Sequence, residues 1–189
     1  MLAGGRSSRF GSDKLAVSYG GAPLLHHPIL RLAEVCDDVI VVIAPGVPEP
    51  RLPVGVPVRL VRDAAEGEGP LAGLVAGLAE VRTEWALVAG GDMPGLSTAV
   101  LLEMLRVASE APVDAVALRE GDLSRPLPVA LRAEPAREAG HALLHSDEHR
   151  LGAMLEALRT AVIDESTWTA LDPGRATLRD IDEPGDLIP

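Results

Sequence analysis

The sequence predicts an α/β protein built on a mostly parallel, doubly wound β-sheet. Apolar runs such as DVIVVIA at 38–44 alternate with helix-type patterns along the whole chain. Strands and helices that alternate in this way join through right-handed crossovers into one sheet. Hydrophobic residues make up 47% of the 189 residues and aromatic residues 2%, so Leu, Val, Ala and Ile must form the core, as in a buried parallel sheet. This length fits a single domain, 1–189.

Each element is predicted from its local pattern. Residues 1–3 form a first strand that is short, so we expect a few more residues to precede it. Apolar residues three or four apart predict a helix at 24–35, Pro70 fits the first position of a helix that reaches about residue 81, and Ser97 fits the N-cap of a helix that ends near 108. The other predicted elements are strands at 38–44, 58–61, 85–89, 113–118, 127–131, 161–164 and 178–181, and helices at 137–145, 151–158 and after 184.

Charge and cysteine content exclude several classes of function. The net charge of −11 argues against a nucleic-acid or anionic-membrane partner, because both need a basic surface. The single cysteine, Cys36, excludes an intramolecular disulfide and a multi-cysteine zinc site. No signal peptide and no apolar stretch of about 18 residues are present, so we expect a cytoplasmic protein.

The only lysine, Lys14, ends a glycine-rich loop, although every other basic residue is arginine. A flexible ammonium can follow a phosphate as its geometry changes, which a planar guanidinium cannot do. Gly4 and Gly5 are adjacent and Lys14 does not follow a glycine directly, so the loop is neither a dinucleotide-binding fingerprint nor a P-loop. The glycine pair lets the backbone approach a nucleotide, and we expect Arg9 and Lys14 to neutralise its triphosphate.

Carboxylates follow several predicted strands, at the edge of the sheet where α/β proteins bind ligands. They are Asp63, Asp92, Asp180 and Asp182. Asp92 follows two glycines and can hold Mg²⁺ against a phosphate, although a turn-forming role is the alternative. For Asp182 the alternative is the N-cap of the final helix. We expect Lys14 and Asp92 to face each other across a cleft wide enough for a triphosphate.

Gly69, Gly73 and Gly77 recur on one face of the helix that starts near residue 70. A glycine inside a helix costs about 1 kcal/mol relative to alanine, so something must approach this face closely. A sugar or base is one candidate. Tight packing against a strand is the other, and we favour it for Gly77.

Together these segments resemble the molybdenum cofactor guanylyltransferase family of nucleotidyltransferases. The matching motifs are LAGGRSSRFGSDK, EGEGPLAGLVAGL, ALVAGGDMPGL, SRPLPVAL and RDIDEPGDL, in family order over nearly the whole chain. The resemblance implies a three-layer α/β/α fold. It implies transfer of GMP from Mg-GTP to the terminal phosphate of molybdopterin or its molybdenum-bound form, with release of pyrophosphate. It also implies docking to cofactor-donor and recipient proteins.

The resemblance also implies the role of each matching residue. The residues expected at the base and ribose are Leu2, Ala3, Gly4, Asp63 and Gly73, and those expected at the phosphates are Gly5, Arg9 and Lys14. The expected metal ligand is Asp92, with Asp182 as a second. The residues expected at the pterin acceptor are Arg125, Pro126, Asp180 and Asp182.

Three departures from the family pattern leave the base open. Aspartates at 180 and 182 replace the asparagines usual in guanylyl-transferring members, and are more typical of cytidylyl-transferring relatives or of a second metal-binding carboxylate. Gly91 stands where many members have cysteine, and the 44–45 segment lacks the polar residue expected near the base. The alternatives are a cytidylyltransferase on molybdopterin, a nucleotidyltransferase on another phosphorylated metabolite, and a non-catalytic nucleotide-binding subunit.

Overall fold

The computed structural model describes residues 1–3, 14–63 and 69–187. Its strands are β1 (Ser18–Tyr19), β2 (Ala22–Pro23), β3 (Val39–Ile43), β4 (Val58–Arg62), β5 (Trp85–Val88), β6 (Ala115–Glu120), β7 (Leu123–Arg132) and β8 (Thr160–Ile163). Its α-helices are α1 (His26–Ala33), α2 (Gly69–Ala79), α3 (Thr98–Glu110), α4 (Ala133–His145), α5 (Gly152–Ala157) and α6 (Glu165–Leu171). Short 3₁₀ turns cover Lys14–Ala16, Ala176–Leu178 and Pro184–Leu187.

The first three residues join two sheet segments into one. Parallel strands β3 and β4 form one segment, and β5, β7, β6 and β8 form the other in that order. Leu2 makes parallel bridges to Val42 of β3 and to Gly90, two residues after the end of β5. The Leu2 amide donates to the Ala89 carbonyl at 2.9 Å, and the Val42 amide donates to the Met1 carbonyl at 2.9 Å. Residues 1–3 therefore lie between β3 and β5, as an isolated bridge at Leu2 and not as the predicted strand.

Strand β7 alone among the strands of the large sheet runs against its neighbours, within the part of the chain that the structure describes. It pairs antiparallel with β5 and β6, whereas β6 pairs parallel with β8. Only two residues connect β6 to β7, and Gly121 has φ +56° there. A connection this short can join only antiparallel strands, because a parallel pair needs a long crossover.

Two hydrophobic clusters cover the two faces of the sheet. On one face, Ile29 of α1, Met104 of α3 and Trp168 of α6 pack in the larger cluster. On the other, α2, α4 and α5 pack through Leu74, Met154 and their neighbours. The protein is therefore a three-layer α/β/α sandwich, as the sequence predicts. Among the described residues, no helix combines the length and apolarity needed to cross a membrane.

The prediction of secondary structure was wrong in two places near the C-terminus. Instead of a strand at 178–181, a 3₁₀ turn ends at Leu178, and Ile181 is fully buried as a single anchor. The apolar residues that indicate a strand there are individual packing contacts. Helix α6 has no counterpart in the prediction; it begins after Asp164 and buries Trp168.

Helix α3 begins where the sequence predicts, but without the expected cap. Ser97 occupies the N-cap position and makes no side-chain cap hydrogen bond. Instead its backbone amide donates to the Thr177 hydroxyl at 3.1 Å. The start of α3 is thereby attached to the C-terminal segment.

Candidate active site

Lys14 joins two carboxylates that are far from it in the sequence. Its Nζ donates to Oδ2 of Asp92 at 3.0 Å and to Oδ1 of Asp182 at 3.1 Å. The Lys14 side chain is only 12% exposed, against 59% for Asp182. Burial by itself lowers the pKa of the Lys14 ammonium, but the hydrogen bonds and charges of the two aspartates outweigh burial, so the pKa lies above its ordinary value. Lys14 is therefore a charged residue at neutral pH.

The glycines before Asp92 create the space that its carboxylate occupies. A Cβ on Gly90 would lie 2.5 Å from Oδ1 of Asp92, and one on Gly91 would lie 3.3 Å from the Leu2 carbonyl oxygen. The Gly91 amide donates to that same Leu2 carbonyl at 2.8 Å. These contacts attach the turn that carries Asp92 to Leu2, between β3 and β5.

The C-terminal segment places Asp182 beside this turn. The Ile181 amide donates to the Asp92 carbonyl at 2.9 Å, and the Ile181 side chain is fully buried. Earlier in the C-terminal segment, at Ala176, the contact is also close: a Cβ on Gly95 would lie 2.6 Å from the Ala176 carbonyl oxygen, so the two backbones touch. The sequence analysis missed these supporting residues, because no local pattern indicates which distant segment a glycine touches.

Asp182 does not act as the predicted N-cap of the final turn. The Asp186 carboxylate accepts instead from the backbone amides of Asp182 (3.0 Å) and Glu183 (2.8 Å). These hydrogen bonds lower the pKa of Asp186. The Asp182 side chain is directed at Lys14.

A second group of predicted residues meets beside the first. Asp63 follows β4, and its Oδ2 would lie 3.5 Å from a Cβ on Gly73, which α2 places in the interior. Leu2 lies on the other side, with its Cδ2 3.9 Å from the same point. Leu2 thus contacts both groups, the one around Gly73 and the one that contains Asp92. A Cβ on Gly77 would lie 2.8 Å from a Val42 methyl group, so close packing against β3 explains the glycine at this position.

Gly69 is needed for a different reason from the other two glycines of the helix. It starts α2 with φ +80°, and a Cβ there would lie 3.0 Å from the His149 Cβ. The conformation alone favours glycine at this position.

The segment that contains Arg125 and Pro126 belongs to β7 at the same edge of the sheet. The β5–β7 register pairs Val88 with Val129. The β6–β7 register pairs Arg125 with Leu118, near the carboxyl end of β6. The Arg125 guanidinium lies 3.4 Å from the Glu120 carboxylate, and its Nε is buried with no hydrogen-bond partner in the described part of the chain.

The remaining predicted residues and the predicted cleft have different outcomes. Gly4, Gly5 and Arg9 lie outside the described residues, and Asp180 is exposed. Lys14 and Asp92 lie on the same side of the molecule, but in direct contact rather than across the predicted triphosphate-wide cleft. A nucleotide in that position therefore has to separate this ion pair.

The two carboxylates that converge on Lys14 also suit a divalent cation. No group of three or more His, Cys, Asp or Glu residues in the described ranges could hold a metal ion. Mg²⁺, however, is commonly bound by one or two carboxylates together with substrate phosphates and water. Asp92 and Asp182 already bind one cationic group between them, so their donor set fits such an ion.

A lysine and carboxylates at the carboxyl edge of the strands of a three-layer α/β/α sandwich fit a protein of the nucleotidyltransferase class. The chain belongs to the family described as the MobA-like NTP transferase domain, whose model matches residues 1–163. A relative named "Probable molybdenum cofactor guanylyltransferase" from Chloroflexus aggregans is 31% identical over 99% of this chain and 89% of its own length. A relative of the same name from Bacillus cereus is 29% identical over 82% of this chain and 77% of its own length.

Solved structures share the fold. Molybdopterin-guanine dinucleotide biosynthesis protein A from Archaeoglobus fulgidus superposes with a TM-score of 0.73 at 21% identity, covering 98% of this chain and 92% of its own. The 2-C-methyl-D-erythritol 4-phosphate cytidylyltransferase from Thermus thermophilus gives 0.73 at 18% identity, covering 99% and 93%. At these identities the likeness concerns the fold alone.

Proposed function

We propose that this protein, as one nucleotidyltransferase domain over 1–189, transfers GMP from Mg-GTP to the terminal phosphate of molybdopterin or its molybdenum-bound form and releases pyrophosphate. The observation that carries the proposal is the convergence of Lys14, Asp92 and Asp182 at the carboxyl edge of the sheet. The names of the full-length relatives support the choice of substrates. We place the reaction in the cytoplasm, where the nucleotide is available.

In this reaction an oxygen of the acceptor phosphate attacks the α-phosphorus of GTP, and the bond from that phosphorus to the pyrophosphate oxygen breaks. The acceptor is already an anionic nucleophile, so the protein needs no general base. Catalysis then consists of positioning and charge neutralisation. The Lys14 ammonium leaves the two aspartates and follows the charge that builds on the departing pyrophosphate.

Asp92 and Asp182 hold the metal ion in this proposal, and a bound Mg²⁺ would supply neutralisation of the α-phosphate and the leaving group. The buried Gly73 surface beside Leu2 and Asp63 receives the base and ribose, together with Ala3 and Gly4. Gly5 and Arg9 hold the phosphates. Arg125 and Pro126 bind the pterin phosphate, supported by the unpartnered Nε of Arg125. Asp180 assists at the acceptor, and docking to cofactor-donor and recipient proteins protects the pterin.

The test is pyrophosphate release from GTP with molybdopterin as acceptor, for the wild type, Lys14→Ala and Asp92→Asn. We expect Lys14→Ala to lower kcat by about 10²–10³-fold with a smaller effect on nucleotide affinity, because its contact strengthens in the transition state. We expect Asp92→Asn to abolish the response to Mg²⁺. Arg106→Ala removes an exposed cation of α3, paired with Glu103 and Glu110, and serves as the control with unchanged turnover. Near wild-type turnover in Lys14→Ala would remove Lys14 from the chemistry.

Cytidylyl transfer is the second candidate, because Asp182 supplies a second carboxylate at the cation position. Thermal shifts with GTP, CTP, ATP and UTP separate the two, since the nucleotide that binds stabilises the native state by mass action. A larger shift with CTP favours the cytidylyltransferase. Nucleotide binding without pyrophosphate release from any phosphorylated acceptor would instead indicate a non-catalytic subunit.

A further inference from the structure

The direction of the Asp182 carboxylate is set by the backbone and not by packing of the side chain. The side chain is 59% exposed, and within the described residues the one partner of its carboxylate is Lys14, at 3.1 Å. In the proposed reaction Lys14 leaves Asp182 and follows the pyrophosphate, so this contact does not hold the carboxylate during the reaction. Its orientation must then come from the peptide groups on either side of Asp182.

Two contacts fix these peptide groups. Ahead of Asp182, the side chain of Ile181 is fully buried and its amide donates to the Asp92 carbonyl at 2.9 Å. A single oxygen, Oδ2 of Asp186, accepts from the Asp182 amide at 3.0 Å and from the Glu183 amide at 2.8 Å. These amides belong to the peptide groups before and after the Asp182 Cα. One carboxylate oxygen therefore restricts rotation on both sides of that Cα.

This arrangement resembles one half of a capping box. Asp186 lies three residues after Glu183, which directly precedes the 3₁₀ turn Pro184–Leu187. An acidic side chain at this position can reach back to the amide of the residue before the turn. The Asp186 amide also donates to the Glu183 carbonyl at 3.0 Å, so side chain and backbone close the same turn. The additional hydrogen bond from the Asp182 amide extends the cap to the residue that contacts Lys14.

Asp186 lies near the cation position but is not a third ligand in this geometry. Hydrogen bonds from the Glu183 and Asp182 amides lower the pKa of the Asp186 carboxyl. The charges of Arg179 and Lys14 lower this pKa further. No three His, Cys, Asp or Glu residues of the described ranges form a group that could hold a metal ion. The contacts of Asp186 thus connect it to the site through the backbone of Asp182.

We propose that Asp186 is a positioning residue for Asp182, whose carboxylate it directs at the cation through the two peptide groups around the Asp182 Cα. This inference rests on the proposed function, in which Asp182 and Asp92 bind Mg²⁺ together with the nucleotide. Asp186 then acts on the metal-dependent part of nucleotide binding and not on the contacts to base and ribose.

The test measures the dissociation constants of GTP and CTP by calorimetry, once with excess Mg²⁺ and once with EDTA. The ratio of the two constants is the gain in affinity that the metal ion provides. We expect Asp186→Ala to reduce this gain about tenfold, because loss of a group that orients a metal ligand typically costs about 10–100-fold in metal affinity. The constant in EDTA should not change, whereas a general loss of structure would change both constants.

Three further proteins separate the hydrogen bonds from the charge. Asp186→Asn loses the charge but keeps an acceptor oxygen, so its gain should stay within about threefold of the wild type. Glu183→Ala removes a carboxylate that has no hydrogen bond or ion pair in the part of the chain described, keeps the amide, and should leave the gain unchanged. In the Asp182→Ala background, Asp186→Ala should have no further effect, because the two residues act as a unit.

The outcomes distinguish this proposal from the proposed function. An equal gain in Asp186→Ala and the wild type would overturn the proposal alone. So would an equal loss in Asp186→Asn and Asp186→Ala, or an undiminished loss in the Asp182→Ala background, because the charge at position 186 would then act independently of Asp182. A wild type that binds neither nucleotide, or that gains nothing from Mg²⁺, would overturn the proposed function and this proposal with it.

Discussion

Gly95 holds the C-terminal segment against the candidate active site, and its replacement by alanine tests this arrangement. A Cβ at position 95 would lie 2.6 Å from the Ala176 carbonyl oxygen, 2.7 Å from the Ala176 Cβ and 3.0 Å from its carbonyl carbon. Contacts of this kind normally lie near 3.5–4.0 Å, so the 176–178 turn must move by about 1 Å. Gly95 is not among the glycines with positive φ, so the effect of the substitution reports the contact and not backbone strain.

We expect Gly95→Ala to lower the free energy of unfolding by about 2 kcal/mol, as overpacking of a rigid contact does. For a chain of this size that corresponds to a loss of about 4–8 °C in Tm. The displaced turn precedes Ile181 and Asp182, and a misplacement of about 1 Å in a catalytic group can cost up to 10²-fold in rate. Pyrophosphate release should therefore fall at least tenfold.

The matched control is Gly152→Ala, the same change at the first residue of α5, where a Cβ meets nothing within 4 Å. It should leave activity unchanged and stabilise slightly, by about 0.4–1 kcal/mol. Thermal unfolding and pyrophosphate release are measured on both variants. If Gly95→Ala matches the wild type in both assays, the segment does not depend on this contact and the account of how Asp182 is positioned fails.

Three further predictions concern charge, packing and pH. Lys14→Arg should reduce turnover at least tenfold while Tm changes by less than about 2 °C, because the planar guanidinium keeps the charge but not the mobility of the ammonium; undiminished turnover would exclude a role that only lysine can fill. Gly140→Ala should destabilise by about 1–3 kcal/mol in urea unfolding, since its Cβ would lie 2.5 Å from a Val75 methyl, and Val75→Ala in the same chain should recover part of that loss. Burial lowers the pKa of the Met1 amino group from 8.0 to about 5, so between these values the unfolded chain binds a proton that the folded chain does not. Stability should rise with pH over this window by up to about 4 kcal/mol, and acetylation of the amino group should abolish the rise.

The secondary structure could be predicted largely from local sequence. The VIVVI run of β3 is buried almost throughout, and its composition alone indicates a central strand. The direction of β7 could not be predicted in the same way, because an apolar run has no polarity. The Gly121 turn fixes that direction through the length of the connection. Leu178 and Ile181 predicted a strand, but in the structure each is buried on its own. A buried residue and a strand residue are both apolar, so the sequence alone does not distinguish them.

The candidate site was predictable as a set of residues but not as an arrangement. Lys14 is conspicuous as the only lysine, and Asp92 follows a strand and two glycines. Which carboxylates reach Lys14, however, depends on contacts over 78 and 168 residues. From the sequence, Asp182 could serve either as a helix cap or as a metal ligand. In the structure Asp186 accepts the hydrogen bond from the Asp182 amide, and the Asp182 side chain contacts Lys14.

The sequence by itself determined the layer architecture and the chemistry at the strand ends, because apolar periodicity and residue type act locally. The tertiary structure decided that Lys14 contacts Asp92 directly and that Ile181 fastens Asp182 beside them. These features depend on the distance between segments after folding. Close packing at Gly95 and at Gly91 sets that distance, and a single methyl group added at either glycine would change it.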